Sequence, residues 1–142
     1  MRHINRWMLT ALIAVGLQIT ACQKHDSMEH AEHPAEIVKI AGSDLSRVTL
    51  TEKAVQRLDL KTDQVREQGG QKVVPYSSLI YDPNGQTWVY TSPETRTFVR
   101  HKVEVDKIEG DTVVLNDGPP VGTVVASVAV AELYGAEFKV GH

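Results

Sequence analysis

Val73-Val74-Pro75-Tyr76-Ser77-Ser78-Leu79-Ile80-Tyr81-Asp82-Pro83-Asn84-Gly85-Gln86-Thr87-Trp88-Val89-Tyr90-Thr91 is the stretch whose reading decides the fold. Two β-rich runs, Val73 to Tyr81 and Gln86 to Thr91, flank Asp82-Pro83-Asn84-Gly85. Pro83 pre-sets the turn, Asn84 suits the next position and Gly85 accepts positive φ, which predicts an antiparallel hairpin. Pro75 has no N–H to donate and is expected at an edge or a bulge.

Outward from the hairpin the pattern stays β. Thr97 to Val105 and Thr112 to Leu115 read as a second strand pair across Glu109-Gly110-Asp111, and Asn116 to Gly122 delivers a further strand, Thr123 to Ala131. On the N-terminal side, Arg66 to Gln71 is a polar turn with two glycines, and Leu58 to Val65 alternates as a half-buried strand does. Thr51 can cap a short helix running to Leu58, with Ala54, Val55 and Leu58 on one apolar face. The expected fold is mainly β: a small β-roll or barrel-like domain with one short α-helix, occupying residues 37–142, with Val48-Thr49-Leu50 leading into the helix.

Ahead of the domain, residues 22–36 are polar and carry Met28 as their only large apolar side chain, so they cannot bury enough surface to offset ordering and are expected to form a flexible leash. Before the leash, Arg2 and Arg6 precede an apolar run from Trp7 to Ile19. Its 13 residues fall short of the roughly 20 needed to span a bilayer, so residues 1–21 read as a secretory signal peptide. Ile19-Thr20-Ala21-Cys22 resembles the lipobox of bacterial lipoproteins. That resemblance implies lipidation of Cys22 and a membrane-anchored lipoprotein facing the periplasm. Gln23 leans towards the outer membrane under the sorting rule of such lipoproteins, and inner and outer membrane both stay open. Cys22 is the only cysteine, so export supplies no internal disulfide.

Removal of residues 1–21 takes Arg2 and Arg6 with it and moves the formal charge from -3 to -5. An acidic chain lacks the electrostatic footprint of a nucleic-acid binder. Arg96, Arg100, His101 and Lys102, with Phe98 the one aromatic among them, read as a solvated strand face. Catalytic patterns are absent: Ser77 and Ser78 have no Gly-x-Ser-x-Gly context, and Gly69-Gly70 opens no phosphate loop. His101 alternates with Val99, Val103 and Val105 as a strand histidine, Trp88 and Tyr90 share a packing face, and the carboxylates are expected in solvent. The chain is therefore not expected to be an enzyme or to require a cofactor.

One constellation has ligand chemistry. His25, Met28, His30 and His33 stand among Asp26, Glu29 and Glu32, and imidazole with thioether suits copper, silver or zinc. Against a metal site stand the lack of a thiolate beside these residues, the single methionine and a spacing that matches no closed site. A polar linker that contains histidines is the plainer reading.

Four stretches resemble the periplasmic adaptor subunits, or membrane fusion proteins, of RND-type efflux pumps, particularly the heavy-metal branch. Val48 to Glu52 with Leu58 to Thr62 is similar to the family's opening strand and short helix, and Val74 to Gly85 with Thr87 to Tyr90 to its return strand. Phe98 to Val103, Gly110-Asp111, Val114-Leu115 and the Gly118 to Gly122 loop continue the likeness, and Ala131 to Phe138 with Gly141-His142 is its most specific part. A full adaptor inserts a barrel, a lipoyl-like domain and usually a helical hairpin between opening and return strands; here Val65 reaches Val73 through seven residues. The resemblance thus implies the membrane-proximal domain alone, with an RND pump or a full-length adaptor subunit as partner and the membrane as anchor. A metal-binding periplasmic protein and a degenerate adaptor fragment stay open as alternatives.

Overall fold

The computed structural model describes residues 33–140. Among these residues the strands are β1 (Ala35–Lys39), β2 (Ser46–Leu50), β3 (Thr62–Gln64), β4 (Arg66–Gln68), β5 (Gln71–Pro75), β6 (Ile80–Tyr81), β7 (Thr87–Glu94), β8 (Thr97–Glu109), β9 (Thr112–Asp117) and β10 (Val124–Ala126), and the helices are α1 (Glu52–Arg57) and α2 (Val130–Phe138). The fold is mainly β, as the sequence predicts.

The hairpin forms where its turn chemistry places it. Ile80 lies opposite Trp88 and Tyr81 opposite Thr87. Asp82 closes the turn: its Oδ1 accepts the backbone N–H groups of Asn84 and Gln86, each at 2.9 Å, and its Oδ2 accepts the Trp88 Nε1–H at 3.1 Å. Gly85 follows at φ +76°, a conformation L side chains rarely adopt. Desolvation lifts the Asp82 carboxyl, but the N–H groups of Gln86, Trp88 and Asn84 and the charge of Arg100 outweigh it and hold it below its ordinary range.

The arm before the turn is broken rather than continuous. Pro75 ends β5, Tyr76–Ser78 winds into a 3-10 turn, and the Tyr76 N–H donates to the Asp111 carbonyl at 2.7 Å. The pairing of β4 with β5 stops at Arg66 opposite Val73, so Pro75 occupies a local edge, where its missing N–H costs nothing.

Closure of the sheet depends on Val65. The strand path runs β3-β10-β7-β8-β9-β5-β4, and its two ends, β3 and β4, are separated in sequence only by this residue. The Val65 N–H donates to Thr123 O at 2.9 Å and its carbonyl accepts from Gly122 at 2.8 Å, so one extended stretch pairs with β10 through its first half and with β5 through its second. The sheet therefore curls into a nearly closed barrel. Val65, Val74, Val89, Val103, Val113, Leu115 and Val125 fill it. Gly118 lies against this filling: a Cβ there would stand 2.9 Å from Leu115 Cδ1 and 3.2 Å from Val103 Cγ1.

A second core lies on the other face of β7 and β8. Tyr90 and Phe98 pack there with Val48 and Leu50 of β2, Ala54 of α1, Ala126, and Val130 and Leu133 of α2. The 13-residue β8 serves both layers, pairing with β2 through Thr97–Val99 and with β9 from Glu104 onward, with bulges on either side of Val105. Helix α1 is built as its sequence indicates. The Thr51 hydroxyl accepts the Ala54 N–H at 3.1 Å, Ala54 is buried, and Val55 and Leu58 pack half-buried against the second core.

Several expectations are corrected. The half-buried strand expected over Leu58 to Val65 shrinks to β3 at Thr62–Gln64, because Leu58 caps α1 and Asp59 turns the chain at φ +47°, and the polar turn expected over Arg66 to Gln71 is strand β4 as far as Gln68. The predicted strand Thr123 to Ala131 stops at Ala126, and a second helix, α2, begins at Val130. A short apolar run rich in Val and Ala has the same periodicity in a buried strand and a buried helix, and no side-chain cap marks the start of α2. Strand pairing also begins ahead of Ile37, since Ala35 and Glu36 already belong to β1, opposite Leu50 and Thr49.

Because β2, α1 and β3 share their sheet and cores with the later strands, the two halves of the domain are not separable. A truncated chain beginning at Gln71 loses the partners of β8 and β10 and bares Tyr90 and Phe98. It is expected to aggregate or to unfold without a cooperative transition in thermal circular dichroism; a melt matching that of the whole protein would refute the single-sheet architecture.

Candidate functional site

Of the candidate ligands, Cys22, His25, Met28 and His30 lie outside the described residues. His33 is described: it is exposed, just ahead of β1, on the wall of an open cleft of about 910 Å³ whose lining includes Glu36, Thr51, Glu52, Lys53 and Arg96. Among the described residues no three His, Cys, Asp or Glu side chains converge as a metal site would require. His101 is exposed on β8, opposite Val89 of β7.

The basic run on β8 does not form one solvated face. Arg96, His101 and Lys102 are exposed, but Arg100 is 6% exposed and points into the second core. There its Nε–H donates to Glu137 Oε2 at 2.7 Å, and the Tyr90 hydroxyl donates to the same oxygen at 2.7 Å. The Glu137 side chain is 1% exposed. It is the exception to the expectation of solvated carboxylates. Its position follows from helical spacing: Val130, Leu133 and Glu137 share the buried face of α2, with the carboxylate where a third apolar residue would otherwise sit.

Strand pairing supplies the other half. Arg100 lies directly opposite Tyr90 across the β7–β8 ladder, so cation and phenol reach the same side of the sheet. The guanidinium also packs over two rings, with its Cζ 4.5 Å from the Trp88 centroid and 4.8 Å from that of Phe138. Phe138 in turn meets Tyr134, one helical turn back, at 4.6 Å. Trp88 and Tyr90 thus share a packing face, as expected, but what they pack is an arginine. Cation–π contact in a desolvated setting is worth about 2 kcal/mol, which partly offsets the cost of burying the charge.

Burial, then the hydrogen bond to Glu137 and its charge, push the Tyr90 phenol far above its usual 10. The Glu137 Oε1 is buried without a hydrogen-bond partner among the described residues. This arrangement places two donors on one carboxylate oxygen. It ties α2 to the sheet through Glu137.

No protein-family model, no curated protein and no solved structure matches this chain.

Two outcomes follow from the buried triad. Glu137→Ala leaves the buried guanidinium and the phenol without their acceptor and is expected to cost about 3–5 kcal/mol in urea denaturation. The triple change Tyr90→Phe, Arg100→Met, Glu137→Leu, which removes every charged and polar member together, should recover most of that loss. No recovery would mean that the polar contacts carry the docking energy. The second outcome concerns pH. A phenol whose pKa is raised on folding stabilises the native state fully below the unfolded value of about 10 and progressively less as pH rises through and beyond it. Wild-type protein should therefore lose stability above that pH more steeply than Tyr90→Phe, and parallel curves of melting temperature against pH would contradict the assignment.

Proposed function

We propose that this chain is a lipid-anchored periplasmic accessory protein of an RND-type efflux system, acting by protein–protein assembly and not by catalysis. The observation that carries this reading is the way the domain is put together. The resemblance to periplasmic adaptor subunits implies a membrane-proximal domain built from an opening strand with a short helix and a distant return segment. Here β2, α1 and β3 pair and pack with β8, β10 and the second core. By the resemblance, the tight β4–β5 connection at Gly69-Gly70 takes the place of the insertion that carries a full adaptor's tunnel-forming domains.

The anchor rests on the lipobox-like Ile19-Thr20-Ala21-Cys22, since two or more acyl chains give stable membrane attachment. The alternative, a periplasmic protein that buffers copper, silver or zinc through His25, Met28, His30 and His33, would show heat in calorimetric titration with those ions, weakening as pH falls through the histidine range near ~6.5.

Crosslinking in intact cells distinguishes the assembly reading. An RND pump or a full-length adaptor subunit is expected to co-purify with the wild-type chain, and Cys22→Ser should abolish both palmitate labelling and that recovery. Recovery of no efflux component from the lipid-anchored protein would refute the proposal.

A further inference from the structure

Helix α2 is tied to the domain almost wholly by side chains. Among the described residues its backbone hydrogen bonds stay within residues 129–140: Leu133 donates to Ala129 O, Lys139 to Ala136 O and Val140 to Gly135 O. Immediately ahead of it the chain is pinned, because the N–H groups of Ser127 and Val128 both donate to Lys61 O, at 2.8 and 3.3 Å. Pinning ends at Val128 and the backbone reverses at Ala129, which adopts φ +66° without being glycine. The far end is closed on itself, with Lys139 at φ +53° and Val140 folded back over Gly135. Both ends thus hold conformations disfavoured for L residues.

The attachment to the body combines apolar packing, which includes Tyr134 and Ala136 at the margin of the second core and Phe138 over the Arg100 guanidinium, with one polar contact. Val130 and Leu133 enter the second core, and the side-chain hydrogen bonds to the sheet both end on a single atom, Glu137 Oε2. The other carboxylate oxygen is buried with no partner among the described residues, a cost that vanishes once the side chain reaches water. A segment with a defined pivot, a C-terminal end closed on itself and one polar clasp is the kind of unit that opens below the free energy of global unfolding.

We propose that α2 is a strap that swings off about Ala129 as one unit while the barrel stays closed, its opening governed by the clasp of Glu137 on Arg100 and Tyr90. The open state bares a guanidinium and a phenol on an apolar floor. That is the chemistry that receives a carboxylate carried on the apolar face of a partner's helix. The barrel interior, filled by Val65, Val74, Val89, Val103, Val113, Leu115 and Val125, shares no buried residue with the core that α2 covers, so it can persist when the strap lifts.

Hydrogen exchange followed by mass spectrometry on the whole chain tests this. Released from the core, a helix of nine residues is marginal in water, so the amides of α2 are expected to exchange faster than those of β7–β9 and with a shallower dependence on urea, in keeping with the smaller surface that lifting α2 exposes. Val113→Ala, a change inside the barrel, should speed exchange of the β7–β9 amides about tenfold or more and leave α2 unchanged. Glu137→Gln should speed α2 about tenfold or more, since it removes a charged acceptor. If α2 and the strands exchange at one free energy, and move together in Val113→Ala or with urea alone should that variant fail to fold, α2 is no strap. If α2 exchange is unmoved by Glu137→Gln, the clasp is not what holds it.

Discussion

The antiparallel ladder between β7 and β8 is the constraint on which the rest of the domain depends. Its register sets Tyr90 against Arg100 and Val89 against His101, and the pleat sends neighbouring residues to opposite faces. Val89 therefore enters the barrel while Tyr90 enters the second core. A slip of one residue would exchange the two sets, placing Tyr90 in a space filled by valines and Val89 against Glu137. The hairpin turn at Asp82 pins the β6 side of β7, and the Arg100–Glu137 pair adds a polar check on the β8 side. Register is thus specified by shape on one face and by charge on the other.

The same ladder explains how so short a chain builds two cores. Strand β8 is long enough to pair with β2 at its start and β9 at its end, and the bulges flanking Val105 let it bend between the two layers. Closure then needs only one more bend, at Val65. The seam that remains between β3 and the end of β5 is blunted from both sides. Asp63 Oδ1 accepts the Gln64 N–H at 2.7 Å, taking a donor that an added strand would otherwise use, and Pro75 on the opposite wall has no N–H to offer. Short edges capped this way resist edge-to-edge pairing.

Much of this architecture was legible in the sequence because its signals are local. Asp82-Pro83-Asn84-Gly85 and Glu109-Gly110-Asp111 announce their turns, and Thr51 with Ala54 announces the cap and face of α1. What escaped is what depends on partners far apart in the chain. Arg100 sits among Arg96, His101 and Lys102, and nothing within the run says that one of these cations is buried. Its acceptor is 37 residues away on a helix whose Val-Ala start reads equally well as strand. The usable signal was Glu137 four residues after Leu133, a carboxylate in line with an apolar stripe, but it has meaning only once α2 is known to be a helix.

A buried ion pair is an expensive way to attach one helix, because apolar residues of similar volume would hold it at least as tightly. Its distinguishing property is directional. Leu133 and Val130 would tolerate small rotations of α2, whereas two donors converging at 2.7 Å on one oxygen fix its rotation and its depth together. The aromatic faces of Trp88 and Phe138 over the guanidinium then tie the end of α2 to the strand that begins beyond the Asp82 turn. The hairpin, the ladder and α2 are in this way joined through one arginine, and that arginine can respond to the helix without disturbing the valines on the far side of its own sheet.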